Sequence, residues 1–230
     1  MTQGQGQIVT VGVTGASGAV LAQKALQLLH ADSRVSRVHL VITETGRRLF
    51  AEELGISAAD SEQGPGRILA LGGTESTSVG SRESLNTLLS HRTKIEILSN
   101  ADVGACIASG SYEVGSMIVI PCSMGTLASI ANGTSDDLVA RAADVMLKEG
   151  RKLVLCIRDT PFNRIHLENM LRAQQAGAVI MPAIPSYYHQ PKTIDDLVTQ
   201  YVCRVLSQIG LTQDRMYRWM GKPASREAKA

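Results

Sequence analysis

Aromatic residues are scarce in this chain: two Phe, one Trp and five Tyr make up 3% of 230 residues. With a net charge of only +2, the sequence has neither the stacking side chains nor the basic surface of a nucleic-acid binder. It lacks any Cys-x-x-Cys pair. Cys106, Cys122, Cys156 and Cys203 stand far apart, which excludes a disulfide frame or zinc site and reads as buried thiols of a reducing compartment. His166 and His189 have no partners at metal-ligand spacing, so no metal is expected. No apolar run approaches the roughly 18 residues of a membrane span. The start, Met1-Thr2-Gln3-Gly4-Gln5-Gly6, is polar and unlike a signal peptide. The expectation is a cytoplasmic protein.

What is present is an alternation of strand and helix patterns. Strands are predicted at 8–14, 38–43, 117–120, 152–157 and 179–181, and helices at 19–30, 47–54, 126–131, 163–176 and 193–209, with one more after Ser135. Such alternation predicts a doubly wound, Rossmann-like α/β fold with a mostly parallel sheet. Nothing divides the chain, so 1–230 reads as a single domain with flexible ends at 1–7 and 213–230. Residues 57–100 are rich in Gly, Ser and Thr and poorly periodic, and read as a long irregular excursion.

Two turns carry the chemistry. The apolar run Met117 to Ile120 leaves through Pro121-Cys122-Ser123-Met124-Gly125-Thr126, and the first strand leaves through Thr14-Gly15-Ala16-Ser17-Gly18-Ala19. Strands that end in Gly, Ser and Thr offer backbone N–H groups and hydroxyls to a phosphate or a flat heteroaromatic ring. Two such turns on one sheet point to a nucleotide-type cofactor across its carboxyl edge. The spacing of G-x-G-x-x-G is absent, and Thr43, followed by Glu44, stands where a dinucleotide site wants a ribose-binding acid. A hydroxyl there suits a phosphate. Taken alone, the first turn could be only a tight βα connection.

Charge is concentrated in two further places. In the helix after Ser135, its expected N-cap, Arg141 and Lys148 are seven residues apart and share a face, roughly 10 Å apart along the axis. They are either two cations aimed at a phosphate or halves of i,i+4 pairs, Asp137 with Arg141 and Asp144 with Lys148. Arg158-Asp159-Thr160-Pro161 follows a buried strand at the edge where α/β proteins place chemistry, with an Arg–Asp helix cap as the plainer alternative.

These segments occur in one order with Leu127, Arg141-Ala142-Ala143-Asp144-Val145, Leu147-Lys148-Glu149, His166-Leu167-Glu168-Asn169-Met170 and Pro185-Ser186-Tyr187-Tyr188. Together they resemble the UbiX-type flavin prenyltransferases over almost the whole stretch from Ile8 to Leu211. The resemblance implies an enzyme that joins the dimethylallyl group of dimethylallyl phosphate to N5 and C6 of reduced FMN. Inorganic phosphate leaves without a metal, and the prenylated FMN serves a UbiD-type decarboxylase. It also implies a homo-oligomer, a dodecamer in the family, with sites between subunits. By motif, Gly15, Ala16 and Ser17, Thr43, Ser123, Met124, Gly125 and Thr126, and Arg158 are expected to bind FMN, with Ser17 near N5. Arg141 and Lys148 match cations on the prenyl phosphate, and Tyr188 and Arg204 match residues a neighbouring subunit brings to it. Glu53 matches the carboxylate that removes the C6 proton.

One departure stands out. Where the family usually has Glu after the arginine, this chain has Asp159, the expected aid to phosphate departure. The lost methylene withdraws the carboxylate by roughly 1 Å, a misplacement that can cost on the order of 100-fold in rate. Two other readings remain open: an FMN-dependent cysteine-type decarboxylase, and a non-catalytic flavin carrier. The first needs a His before the strand leading to the Pro121 turn, where this chain has Ala108-Ser109-Gly110-Ser111-Tyr112. The second rests on Asp159 alone.

Overall fold

Val and Ile dominate the runs that become strands, as a sheet buried on both faces demands. The computed structural model describes residues 6–55 and 93–220. Its six strands are β1 (Gln7–Val13), β2 (Val35–Ile42), β3 (Ile95–Leu98), β4 (Ser116–Cys122), β5 (Lys152–Ile157) and β6 (Val179–Ile180). All pair in parallel, in the order β3-β2-β1-β4-β5-β6. The helices are α1 (Ala19–Ala31), α2 (Glu44–Leu54), α3 (Met124–Asn132), α4 (Leu138–Lys148), α5 (Arg164–Gln175) and α6 (Ile194–Gln208). The expected α/β architecture is present. After β1 the chain winds outward through β2 and β3, then returns to the other side of β1 as β4. The carboxyl ends of β1 and β4 therefore flank the point where the winding reverses, the place where open α/β sheets leave a crevice.

Each face of the sheet has its own core. Val9, Val11, Leu40, Ile118 and Cys156 pack with α1 and α6 on one side. Val41, Met117, Val119, Leu153 and Leu155 pack with α3 and α4 on the other. Each fully buried aliphatic side chain contributes roughly 1.5–3 kcal/mol, so these layers hold the carboxyl edge rigid. Among the described residues no helix is long and apolar enough to cross a membrane.

Local structure departs from the sequence expectation in several places. Ile95–Leu98, within the expected irregular excursion, forms the edge strand β3, while residues 56–92 lie outside the described set. Four residues reading Ile-Glu-Ile-Leu are too short a pattern to separate from a polar neighbourhood. The cap of α4 is Asp137 and not Ser135: one Asp137 oxygen accepts from Ala140 N at 2.8 Å, the other from Asn100 Nδ2 at 3.2 Å. A carboxylate can serve both donors at once, which one hydroxyl does less well. Cys106 is exposed, so only Cys122, Cys156 and Cys203 are the buried thiols expected of all four. Burial pushes the Cys122 thiol well up, which keeps it protonated and inert.

Candidate active site

The crevice between β1 and β4 is closed by a threonine. Thr14 Oγ1 donates to Pro121 O at 2.9 Å and accepts from Ser123 N at 2.8 Å, tying the two strand ends together. Gly15 follows because a Cβ there would stand 2.6 Å from the Cβ of Thr45. Gly18 has φ +116°, in the left-handed region that disfavours a side chain. At the opposite wall Ser123 caps α3, accepting from Thr126 N at 3.3 Å and donating to Thr126 Oγ1 at 3.1 Å. Thr43 caps α2 by accepting from Gly46 N at 3.1 Å. A cleft of about 380 Å³ opens between these caps, lined by Gly15, Thr43, Asn100, Ser123, Gly125 and Thr126. A Cβ on Gly125 would meet nothing within 4 Å, so the wall there is open backbone.

Two helix N-termini border one hydroxyl-lined hollow, a setting that suits an anion, with Glu44 and Asp137 also on its wall. Ala16 is buried and Ser17 half-buried in the first turn, and Met124 packs partly into the second core. Arg158 is exposed just past β5, and its N–H donates to Cys122 O at 3.1 Å. No Arg158–Asp159 helix cap forms. Asp159 Oδ1 accepts from Thr160 N at 2.8 Å, and α5 is capped by Asn163.

Glu53 reaches this turn from α2. Its carboxylate accepts from Gly18 N at 2.9 and 3.2 Å and from Ala19 N at 2.8 Å, capping α1 where Gly18 has no side chain to do so. The carboxylate also meets the positive end of the helix. Glu53→Ala is therefore expected to cost about 0.5–2 kcal/mol of stability, read as a fall of a few degrees in Tm. An unchanged melting curve would show the cap to be dispensable.

The cations of α4 make neither expected i,i+4 pair. Arg141 bonds Asp144 Oδ2 at 3.1 Å and Ala108 O at 3.3 Å, and Lys148 Nζ sits 3.0 Å from Glu149 Oε1. The reason is the neighbouring loop: Asp137 is used as a cap, and the loop draws Arg141 toward its carbonyls. Arg151 grips the same loop, donating to Gly110 O at 2.7 Å and Tyr112 O at 2.9 Å. Gly110 lies against the ends of the Glu149 and Lys148 side chains: a Cβ there would displace Glu149 and stand 3.0 Å from Lys148 Nζ. Tyr188 and Arg204 stand elsewhere, in a groove of about 820 Å³ with Tyr201, Tyr217, Arg218 and Trp219. Tyr188 and Tyr217 stack with ring centroids 6.3 Å apart.

The predicted site residues thus fall into separate groups. Gly15, Thr43, Ser123, Gly125 and Thr126 share the cleft at the carboxyl edge. The end of α4 precedes Lys152, the first residue of β5, so Lys148 lies at the amino edge. Six strand residues, roughly 20 Å, separate that edge from Asp159. Arg204 is on α6, on the opposite face of the sheet from α4.

Comparison with known proteins gives the family. The flavoprotein family model matches residues 2–206. The flavin prenyltransferase UbiX of Halalkalibacterium halodurans is 43% identical over 212 residues, covering 92% of this chain and 93% of its own. The chain belongs to the UbiX-like flavoproteins. A UbiX crystallised with FMN and dimethylallyl pyrophosphate superposes on this UbiX-like chain with TM-score 0.77 at 35% identity, covering 95% of this chain and all of its own. A dodecameric FMN-dependent UbiX-like decarboxylase from Escherichia coli O157:H7 does so with TM-score 0.77 at 40% identity, covering 94% and 100%.

Several residues of this UbiX-like site escape sequence reasoning. Asn100 accepts from Val139 N at 3.2 Å through Oδ1 and lines the cleft, yet it stands at the end of a stretch with no period. Thr14 is visible as part of a motif, but its double hydrogen bond across 109 residues is a tertiary fact. Tyr217 and Trp219 lie in the stretch expected to be a tail. Among the described residues no cluster of His, Cys, Asp or Glu could hold a metal.

Proposed function

We infer that this chain is a flavin prenyltransferase, joining a dimethylallyl group from a dimethylallyl phosphate ester to reduced FMN. The observation that carries the reading is the crevice itself. In a UbiX-like chain, the caps of α2 and α3 face each other across a hydroxyl-lined cleft tied shut by Thr14. That cleft suits a mononucleotide: two helix N-termini receive one phosphate, Asp137 of the lining is already engaged as the cap of α4, and the spacing of a dinucleotide fingerprint is absent. Thr43, Ser123 and Thr126 hold FMN by their hydroxyls, Gly15 and Gly125 leave room for its ring, and Ala16, Ser17 and Met124 border it. Arg158 adds charge at the rim.

N5 would displace inorganic phosphate from the allylic carbon, its own proton passing to the departing phosphate; the alkene would then gain a proton and bond to C6, which gives one up, so that the flavin gains C5H8 in all. Glu53 takes the C6 proton, and Ser17 holds the turn at N5. Arg141 and Lys148 neutralise the departing phosphate. Tyr188 and Arg204 of a neighbouring copy donate to the same phosphate, the guanidinium adding charge that draws the leaving group away. Because these groups lie at different edges and faces of one chain, the complete site forms between copies of a homo-oligomer, a dodecamer in this reading. The product is the cofactor of a UbiD-type decarboxylase in the cytoplasm.

Anaerobic incubation of the protein with reduced FMN and dimethylallyl phosphate, followed by mass analysis of the flavin, tests the reading. Flavin heavier by one C5H8 unit is the expected result. Unmodified flavin with bound FMN identifies a carrier, and carbon dioxide release from a cysteine-ended peptide identifies a decarboxylase.

A further inference from the structure

His39 lies in the middle of β2 with a fully buried side chain, an unusual place for an imidazole in a parallel sheet. Its Nε2 is 2.9 Å from the hydroxyl of Tyr112, and the two rings are tilted at 59° with centroids 5.5 Å apart. Nδ1 faces Glu96 Oε2 at 3.4 Å without a hydrogen bond. A carboxylate on that side favours the tautomer with its proton on Nδ1, so Nε2 accepts from the Tyr112 phenol. Burial keeps the imidazole neutral: desolvation lowers its pKa, against Glu96, which raises it, and with Arg37, which lowers it.

Tyr112 closes a tight turn. Its N–H donates to Ser109 O at 3.2 Å, bracketing Gly110 and Ser111, and the hydroxyls of Ser109 and Ser111 meet at 2.9 Å. On the outer side Arg151 holds the carbonyls of Gly110 and Tyr112. On the inner side the Tyr112 ring packs against the second core and its phenol, with Arg37 close by, bonds His39, the polar contact that fixes where the ring sits. Gly110 lies directly against the Lys148 ammonium and the Glu149 carboxylate, which form an ion pair at 3.0 Å, so a shift of the turn changes the surroundings of the Lys148 ammonium.

We propose that His39 and Tyr112 are positioning residues for the prenyl donor: their hydrogen bond fixes the 109–112 turn against Lys148 and so sets affinity for the donor phosphate, leaving FMN binding untouched. This inference rests on the prenyltransferase reading and on Lys148 meeting that phosphate. Tyr112→Phe deletes one hydroxyl and keeps the ring. In anaerobic turnover it is expected to raise KM for dimethylallyl phosphate about three- to tenfold, the weight of one net hydrogen bond. FMN affinity, from fluorescence quenching, should stay at the parent value, while Tm falls by a few degrees because His39 Nε2 is left buried without its partner. His39→Leu should raise KM likewise, and His39→Gln, whose amide oxygen can accept from the phenol, should recover much of it.

A parent-like KM in Tyr112→Phe overturns the inference, as does a parallel loss of FMN affinity, which would make the pair a plain fold contact. A parent that leaves the flavin unmodified sinks the functional reading instead. The tether is then judged by amide exchange at Ser111 and Tyr112, which quickens in Tyr112→Phe if the pair holds the turn and is unchanged if it does not.

Discussion

Asp159→Asn is expected to slow prenyl transfer by roughly 10²–10⁴-fold, the usual contribution of a positioned proton donor. Asp159 follows Ile157 and Arg158 at the carboxyl end of β5, half-buried. One of its oxygens accepts from Thr160 N at 2.8 Å, and the other has no hydrogen bond among the described residues. That second oxygen is the one free to donate to, or bond with, a departing phosphate. Asn keeps the acceptor for Thr160 and nearly the same volume, so folding and FMN affinity should be preserved while the acid is removed. Asp159→Glu should match or exceed the parent, since it restores the missing methylene. Single-turnover kinetics without oxygen, with Tm and FMN titration alongside, measure all three. If the Asn variant turns over as fast as the parent, Asp159 serves only to order Thr160.

The parts of this molecule that were legible in the sequence are those written locally. Buried strands carry continuous Val and Ile runs, and both Gly-Ser-Thr turns sit where such runs stop, so β1, β4 and their turns are readable without coordinates. The order of motifs then names the family. What stayed hidden depends on distant partners. The choice between Ser135 and Asp137 as the cap of α4 is decided by Asn100, 37 residues away from Asp137. The pairing of Arg141 and Lys148 is decided by the 108–112 loop, which offers a carbonyl to one and fills the space beside the other. The role of Glu53 as a cap for α1 required α2 to fold back onto the first turn. Spacing says which residues can share a face, but not which neighbour wins them.

The separation of the cations yields the second large effect. Lys148→Ala is expected to lower prenyl transfer about 10²–10³-fold, the scale seen when one donor to a developing anion is removed from a closed site. Tyr188→Phe should lower it too, though less, because the ring remains. Lys148 ends α4 on one face of the sheet, whereas Tyr188 shares its groove with Arg204 of α6, packed on the other face. The two cannot meet the same phosphate within one chain. If both serve the donor, each complete site takes Tyr188 from one copy and Lys148 from another. Mixing Tyr188→Phe with Lys148→Ala subunits, after dissociation and reassembly, then creates sites with both groups intact, about a quarter of the total if exchange is random. Activity should rise above the average of the two variants measured separately, by the contribution of those intact sites. Should reassembled mixtures, with exchange confirmed by mass, stay at the average of the separate variants, the two residues do not act on one shared phosphate, and Tyr188 belongs to the assembly alone.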